Sequence, residues 1–177
     1  MKVLKTNGGW RMCVDYRLLN SVTKFDCFPL PRHDEALVAF AGATVFSSLD
    51  LAMVYHQVPV KPEDVKKTAF ITHICLYEII KMPFGRCNPL STYQRLMISV
   101  LQGLIGRIYL AYLDDVNVFS KLRDEHVNDL PAVLDCIRDA VLKLKPAKCK
   151  LFCEQVLYLE YVISPSGVSP DPANSAC

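Results

Sequence analysis

The sequence has 177 residues, which is long enough for one ordinary domain. Hydrophobic residues make up 51% of it, so a sizeable core is expected and wholesale disorder is excluded. The formal net charge of +2 is too small to indicate a nucleic-acid-binding protein by itself, although residues 61–113 carry mainly basic charges and residues 114–140 mainly acidic ones.

The eight cysteines raise the question of disulfides or zinc, and the sequence argues against both. The N-terminal stretch MKVLKTNGGW lacks the apolar segment of a secretion signal, and no cysteine pair has zinc-knuckle spacing, Cys149 and Cys153 being the nearest. No apolar run reaches the roughly 18 residues that a bilayer requires. We therefore expect buried free thiols in an intracellular protein, cytoplasmic or nuclear, without membrane contact.

The first half of the chain predicts strands around one short helix. The helix follows Pro29 and Pro31, and Gly42 is well placed to end it. The predicted strands are short apolar or alternating runs bounded by turn residues. They cover residues 10–16 (followed by a polar turn), 44–50, and about 68–72 and 76–82, the last two joined by a tight turn near His73.

The clearest helix begins near residue 88, where Asn88 can cap it and Pro89 suits the first helical position. Its apolar residues recur at helical spacing and are expected in the core: Tyr93, Leu96, Met97, Val100, Leu101 and Leu104. Residues 107–120 then read as strand, turn and strand.

A second amphipathic helix is predicted after residue 120, and Pro131 is expected to kink it or to shift its start. Its apolar face consists of Val127, Leu130, Leu134, Ile137 and Val141. A short strand pair follows around residues 156–164, and the tail after it is expected to be turn-rich and to end without a structured element. This order of elements predicts an α+β fold, with an antiparallel sheet and helices on one face.

Two adjacent acids, Asp114 and Asp115, interrupt the apolar stretch AYLDDVNVFS. A hairpin turn explains such a pair, because Asp is favoured in turns. The alternative is a metal site, which Asp50 favours because it ends an apolar strand where neighbouring strands can bring a third carboxylate. Converging carboxylates repel one another and persist with bound cations, and hard oxygen ligands suit Mg²⁺. The residues alone therefore leave open a turn or a metal-dependent phosphoryl or nucleotidyl transfer site.

Ordered motifs across nearly the whole chain resemble the reverse transcriptase segment of gypsy-type LTR retrotransposon polyproteins. YLDD resembles the YxDD box of that family. The other motifs occur in the family's order: WRMCVDYRLLN, FPLPRHDEAL, FSSLDLAMVYHQVPV, KTAFITHICLYEIIKMPFGRCN, STYQRLM, LKLKPAKCKLF and VISPSGVSPDP. The resemblance implies an RNA-directed DNA polymerase and favours the metal site over the turn.

The resemblance also implies roles for individual residues. Asp50, Asp114 and Asp115 would be catalytic and hold two Mg²⁺ ions, for which Mn²⁺ can substitute. Six residues match nucleotide-binding positions of the family, with Tyr55 as the aromatic that selects deoxynucleotides: Lys5, Arg11, Tyr55, Phe84, Gly85 and Gln94. The implied partners are a primed RNA or DNA template, a dNTP, and the thumb and RNase H segments of the same polyprotein.

In the right-hand polymerase fold that the resemblance implies, the chain supplies the palm and part of the fingers. We expect fingers at 1–43 and 57–90, palm at 44–56 and 91–163, and a tail at 164–177 that starts a thumb missing from the chain. Because a thumb holds duplex through phosphate contacts, weak duplex binding is expected.

The chain departs from the family pattern at several positions. Val54 stands beside Tyr55 where a small residue is usual, Cys75 replaces a turn glycine, and Arg86 replaces an apolar residue. Asn117 interrupts the strand after the acid pair, where burial without a partner would cost roughly 1–3 kcal/mol. These departures favour one alternative, a catalytically inactive retrotransposon remnant with at most weak nucleic-acid binding. A second alternative, a small two-metal phosphohydrolase or nuclease, rests on the acids alone.

Overall fold

The computed structural model describes residues 2–4, 8–29, 37–104, 108–112 and 115–172. The described chain divides into two compact units. The first comprises Met1–Phe28 and Met53–Tyr93, and the second comprises Pro29–Ala52 and Gln94–Cys177. Helix α3, named below, contributes residues to both.

The first unit is built from short elements. Strands β1 (Lys2–Leu4) and β2 (Trp10–Met12) pair antiparallel, as do β4 (Phe70–Ile71) and β5 (Leu76–Tyr77). The helical elements are α1 (Arg17–Val22), α2 (Val54–Gln57), the 3₁₀ helix Pro62–Thr68 and the start of α3 (Pro89–Val100). The predicted hairpin with a turn near His73 is therefore present, with shorter strands than expected.

The second unit is organised around a four-stranded antiparallel sheet in the order β6–β7–β3–β8. Its strands are β3 (Val45–Asp50), β6 (Tyr109–Tyr112), β7 (Asp115–Ser120) and β8 (Lys150–Cys153). A smaller sheet, β11–β10–β9, is formed by β9 (Val156–Tyr158), β10 (Tyr161–Ser164) and β11 (Gly167–Pro170). Helix α4 (Arg123–Asp139) packs on β7 and β3, and the 3₁₀ helix Pro146–Lys148 precedes β8.

The core of the second unit lies between the two sheets and around α4. One cluster unites aromatic and aliphatic side chains of the chain before β3, of β3, β6 and β7, and of the smaller sheet: Phe40, Ala43, Phe46, Leu110, Phe119, Val156, Tyr158 and Ile163. Phe40 lies at its centre, with ring centroids 4.9 Å from Phe119 and 5.3 Å from Tyr158. These contacts hold the start of β3 and the paired end of β7 in place, at the end of the two strands away from Asp50 and Asp115.

The predicted α+β class and the antiparallel sheet are present. The strand predicted at 44–50, the helix that begins at Pro89 and the strand pair around the acids are also found. Residues 37–39 are helical, and Gly42 follows with a φ of +78°, the left-handed conformation typical of a glycine that ends a helix.

Three local predictions were wrong. The strand predicted at 10–16 ends at Met12, and helix α1 replaces the polar turn because the Asp15 carboxylate accepts a hydrogen bond from the Arg17 N–H (3.0 Å) at the helix start. The tail contains β11, whose four residues are all exposed. Its backbone pairing with β10 holds it, so hydrophobic patterning carried no signal for this strand.

The buried face of α4 also differs from the prediction. Val127 and Val141 are exposed, whereas the buried positions are His126, Leu130, Val133 and Ile137. Pro131 lies inside the helix, which begins at Arg123, so the proline does not shift its start. The side chain of Asn88 accepts from the Asp26 N–H and donates to the Lys24 carbonyl, so it ties the chain that follows α1 to the start of α3.

All seven cysteines within the described residues are free thiols, as expected, but the prediction that they are buried was wrong: Cys27 and Cys75 are exposed and the other five are half-buried. Cys177 lies outside the described residues. No helix in this part of the chain combines the length and apolar character that crossing a bilayer requires.

Candidate metal centre and nucleotide contacts

Two of the three predicted metal-binding acids face each other across neighbouring strands. Strand β3 ends at Asp50, β7 begins at Asp115, and the two residues are Cα partners in the antiparallel register. Directly opposed residues point to the same side of a sheet with Cβ atoms about 4.5–5.5 Å apart. The sheet therefore brings two carboxylates to one place, while Asp114 lies outside the described residues.

Asp50 is paired with a cation that sequence reasoning did not identify. The Nζ of Lys148 donates to Asp50 Oδ2 at 2.8 Å, and the Asp50 side chain is 15% exposed. Backbone bonds fix this geometry, because the Lys145 N–H donates to the Asp50 carbonyl (2.8 Å) and the Ala52 N–H donates to the Lys143 carbonyl (2.8 Å). The basic run KLKPAKCK was the only sequence signal, and it gave no indication of the partner.

The donor set fits a hard divalent cation. Asp50 and Asp115 offer carboxylate oxygens, which Mg²⁺ and Mn²⁺ prefer as ligands. Among the described residues no group of three His, Cys, Asp or Glu side chains surrounds a common point, and the third predicted acid, Asp114, is outside this part of the chain. The described geometry thus supplies two of the three predicted ligands.

A cleft of about 200 Å³ opens beside Asp115. Asp115, Lys148 and Lys150 contribute its charged groups. Ser48 and Gln155 add neutral polar groups, and Val156 and Leu157 form part of its apolar wall. The cleft therefore places lysines next to an acid, an arrangement that can receive a ligand carrying both metal and phosphate charge.

Tyr55 and Phe84, two predicted nucleotide contacts, touch each other. Their rings pack edge to face with centroids 5.4 Å apart and an interplanar angle of 87°. Tyr55 lies in the short helix α2, which follows Met53 in the left-handed conformation (φ 45°, ψ 52°). Val54, the residue that departs from the family pattern, is the first residue of this helix and is half-buried.

Gly85 requires its glycine for conformational reasons. Its φ is +90°, which a side chain would strain, and its carbonyl accepts a hydrogen bond from Asn20 Nδ2 at 2.8 Å. The Cys87 N–H donates to the same Asn20 side chain at 3.0 Å. Asn20 thus holds the loop that follows Phe84.

The remaining predicted nucleotide contacts are placed less directly. Lys5 lies outside the described residues, and Arg11 is in β2, opposite Val3 of β1. Gln94 is 1% exposed, and its Nε2 donates to the Ala111 carbonyl in β6 at 3.4 Å. Gln94 therefore braces the strand that leads to the acid pair, and its contact with a nucleotide stays a prediction.

Two of the family departures are accommodated without strain. Cys75 is not among the non-glycine residues with positive φ in the described chain, so the turn there does not need glycine. Its N–H donates to Thr72 Oγ1 at 3.1 Å. Arg86 is half-buried and lines a cleft that also contains Asp64, whose pKa is lowered mainly by its hydrogen bond with Lys67 and further by Arg86.

Asn117 is the departure with an energetic consequence. It is 1% exposed, and neither its Oδ1 nor its Nδ2 has a hydrogen-bond partner within the described residues. A buried amide in this state costs about 1–3 kcal/mol. We therefore expect Asn117→Val to raise the free energy of unfolding by about that amount, because valine also suits a strand between Val116 and Val118.

Urea unfolding followed by circular dichroism measures this change. The isosteric variant Asn117→Asp is the matched comparison, because it places a charge at the same buried position and should lower stability. A destabilising effect of Asn117→Val would contradict an unpartnered amide and would indicate that the Asn117 side chain hydrogen-bonds to a bound water molecule.

A buried polar chain, also missed from the sequence, connects Ser47 in β3 and Ser120 at the end of β7 to α4 and β8. Ser47 Oγ lies 2.7 Å from His126 Nε2, Ser120 Oγ lies 2.9 Å from His126 Nδ1, and Ser120 Oγ donates to Asp129 Oδ2 at 2.7 Å. The Phe152 N–H donates to Ser47 Oγ at 3.0 Å. We refer to Ser47, Ser120, His126 and Asp129 as the histidine chain.

The direction of the histidine chain follows from its ends. Since the Ser120 hydroxyl donates to Asp129, its oxygen accepts from Nδ1–H of His126, and Nε2 is left to accept from the Ser47 hydroxyl. This pattern is that of a neutral ring, and the burial of His126 favours the neutral form because it disfavours the charged one. Burial lowers the pKa of His126, and the nearby Asp129 carboxylate opposes this effect only in part. With His126 fully buried, the histidine chain is a structural support for the acid-bearing strands, not a nucleophilic centre.

Comparisons with a protein-family model and with known proteins agree on one family. A family model described as reverse transcriptase (RNA-dependent DNA polymerase) matches residues 3–163. The retrovirus-related Pol polyproteins of the Drosophila melanogaster transposons 297 and gypsy are 37% identical over 163 residues and 36% identical over 166 residues. These matches cover 92% and 94% of this chain but 15% and 16% of the polyproteins.

A solved structure has the same fold. The foamy viral protease-reverse transcriptase in complex with an RNA/DNA hybrid matches 97% of this chain, and 23% of its own, with a TM-score of 0.85. The sequence identity is 21%. The arrangement of antiparallel sheets and helices described above is therefore shared with a known protein at the level of fold.

Proposed function

Because the chain belongs to the reverse transcriptase (RNA-dependent DNA polymerase) family, as its ordered motifs predicted, we propose that it carries the nucleotidyl-transfer centre of such an enzyme. The observation that supports this most directly is the pairing of Asp50 with Asp115 at the ends of adjacent strands. In this proposal Asp50, Asp114 and Asp115 hold two Mg²⁺ ions, or Mn²⁺ in their place.

The metal ions, when bound, supply Lewis-acid activation of a primer 3′-hydroxyl and neutralise charge on the polyphosphate of the dNTP. The chain's own residues position the reactants. The edge-to-face contact of Tyr55 with Phe84 gives the deoxyribose a rigid wall, and Gly85 lets the backbone approach the nucleotide. Lys5 and Arg11 bind the triphosphate, Arg11 being able to do so with two hydrogen bonds.

The same proposal assigns larger regions. Residues 44–56 and 91–163 form the palm, residues 1–43 and 57–90 part of the fingers, and residues 164–177 lead toward a thumb. The foamy viral enzyme that shares the fold was solved with an RNA/DNA hybrid, and we propose a primed RNA or DNA template as the partner of this chain. Since the chain spans about 15% of its relatives' length, the thumb and RNase H segments of a polyprotein are further proposed partners.

Primer extension tests the proposal. The purified protein is mixed with an RNA template, a labelled DNA primer and dNTPs at low salt, with Mg²⁺ or Mn²⁺. We expect the primer to lengthen, and removal of the metal by a chelator to stop it. A variant carrying both Asp114→Asn and Asp115→Asn is the inactive control.

The buried amide of Asn117 favours a second candidate, an inactive remnant that retains at most weak nucleic-acid binding, because it weakens the strand that carries Asp115. The two candidates differ in one result. Folded protein, verified by circular dichroism, that binds primed template but does not extend it under any of these conditions would favour the remnant and contradict the enzyme.

A further inference from the structure

Lys148 occupies one of the two carboxylate oxygens of Asp50. Its Nζ donates to Asp50 Oδ2 at 2.8 Å, and both Lys148 and Asp115 line the cleft of about 200 Å³ beside the strand ends. Two carboxylates that face each other repel, and the ammonium of Lys148 offsets part of this repulsion. A divalent cation that approaches Asp50 therefore meets a site that already contains a positive charge.

The backbone keeps Lys148 at this position. Leu51 bridges Leu144, the Lys145 N–H donates to the Asp50 carbonyl, and the Lys148 N–H donates to the Lys145 carbonyl at 2.9 Å. The segment that carries Lys148 is thus bonded to the end of β3 through main-chain atoms. The side chain itself is 57% exposed, so the ammonium can leave Asp50 and enter solvent without disturbing the segment.

We propose that Lys148 is a resident counter-cation of Asp50 and Asp115, and that a divalent metal ion binds by displacing the Lys148 ammonium from Asp50. The inference rests on the proposed function, since it concerns the metal that nucleotidyl transfer needs. Lys148 is then a positioning residue that sets the metal concentration at which the site fills. In the metal-free protein its ammonium is paired with the Asp50 carboxylate.

Neighbouring Lys150 provides a comparison that separates the effect of the Lys148–Asp50 ion pair from the effect of the net positive charge in the cleft. Lys150 is exposed, lines the same cleft and is the Cα partner of Ser48, two residues before Asp50. Of these two described lysines, Lys148 is the one whose ammonium bonds to Asp50. Replacing either lysine with methionine removes one charge from the cleft and keeps most of the side-chain stem.

Isothermal titration with Mn²⁺ measures the effect on the full chain. An ion pair with one exposed partner corresponds to at most about a fivefold change, so Lys148→Met should bind Mn²⁺ about three- to fivefold more tightly than the parent. Lys150→Met should change the constant by less than about twofold. Lys148→Arg should bind no more tightly than the parent, because a guanidinium keeps the pairing with Asp50.

Each outcome decides the matter. Equal tightening in Lys148→Met and Lys150→Met would assign the effect to net charge and overturn the inference, as would weaker binding in Lys148→Met. Unchanged binding in Lys148→Met, with a parent that binds Mn²⁺, would overturn the inference and leave the proposed function standing. Absence of Mn²⁺ binding in the parent and in every variant would overturn both. Thermal unfolding of each variant verifies that the compared proteins are folded.

Discussion

The variant Asp115→Asn is expected to extend a primer at least about 100-fold more slowly than the parent protein while folding as well or better. Asparagine has the shape of aspartate but lacks the charge that holds a divalent cation. Removing even an outer-shell partner of a metal site commonly costs about 10–100-fold, and Asp115 is proposed as a direct ligand. Its side chain is exposed and opposes Asp50, so the loss of one of two like charges relieves repulsion in the metal-free protein.

Asp50→Asn should reduce extension to the same extent but should not stabilise the protein. The substitution breaks the ion pair with Lys148, which is largely exposed, so the expected loss of stability is about 0–1 kcal/mol. The two variants are thus expected to lose primer extension to the same extent but to differ in the free energy of unfolding. Extension rates per mole of folded protein, together with urea unfolding curves, measure both quantities.

Asp139→Asn is the matched control for these two variants. Asp139 is an exposed residue in the last turn of α4, beside Arg138, and has no proposed part in the metal centre. It should leave extension unchanged. Asp115→Asn protein that still extends a primer at the parent rate would remove Asp115 from the proposed ligand set.

Replacing His126 with leucine is expected to lower the free energy of unfolding by about 2–4 kcal/mol at pH 7. The leucine removes one acceptor and one donor, so the Ser47 hydroxyl and the Ser120 oxygen lose partners in the buried histidine chain, and each lost partner costs about 1–3 kcal/mol. The contact of the His126 ring with Phe152, at 5.0 Å between centroids, is lost as well.

The same residue makes the stability of the protein depend on pH. Burial lowers the pKa of His126 in the folded state, whereas a histidine of the unfolded chain titrates near 6.5. As the pH falls below 6.5 the unfolded chain takes up a proton that the folded chain does not, so the stability contributed by the neutral ring is present above this pH and is lost below it. His126→Leu should therefore show a smaller fall in stability between pH 7 and pH 5 than the parent.

Urea unfolding at a series of pH values measures the slope of the free energy of unfolding against pH. His73→Gln is the control, because His73 is exposed in the β4–β5 turn and its replacement should leave the slope unchanged. A parent whose stability stays constant over this pH range would contradict a neutral, buried His126.

Much of the fold could be predicted because apolar spacing records which side of an element is buried. The strands that end on Asp50 and begin at Asp115 are short apolar runs, and α3 begins with Pro89 and has buried Tyr93 and Met97 at helical spacing. The prediction failed where the backbone, not hydrophobic burial, holds an element. Strand β11 has no buried side chain, so its pairing with β10 left no trace in the composition.

The candidate site divides in the same way. Asp50 and Asp115 could be named as candidates because charge at the end of an apolar strand is unusual. The register places them opposite each other, and metal binding by them stays a prediction. Lys148 was missed because its partner is 98 residues away in sequence, and a lysine in a basic run gives no sign of its partner. His126 was missed because a polar residue on a buried helix face interrupts the pattern by which such faces are recognised.

Strand β3 lies between β7 and β8, and this position has a consequence for synthesis of the chain. The bond from Phe152 to Ser47 joins residues 105 positions apart, so β3 remains without one of its neighbours until β8 (Lys150–Cys153) has been made. Contacts of this range slow folding, because a long loop must close before they form. During that interval an apolar strand containing Phe46 and Leu49 has an open edge that can pair with other chains, so a product that stops before residue 150 should aggregate where the longer chain folds.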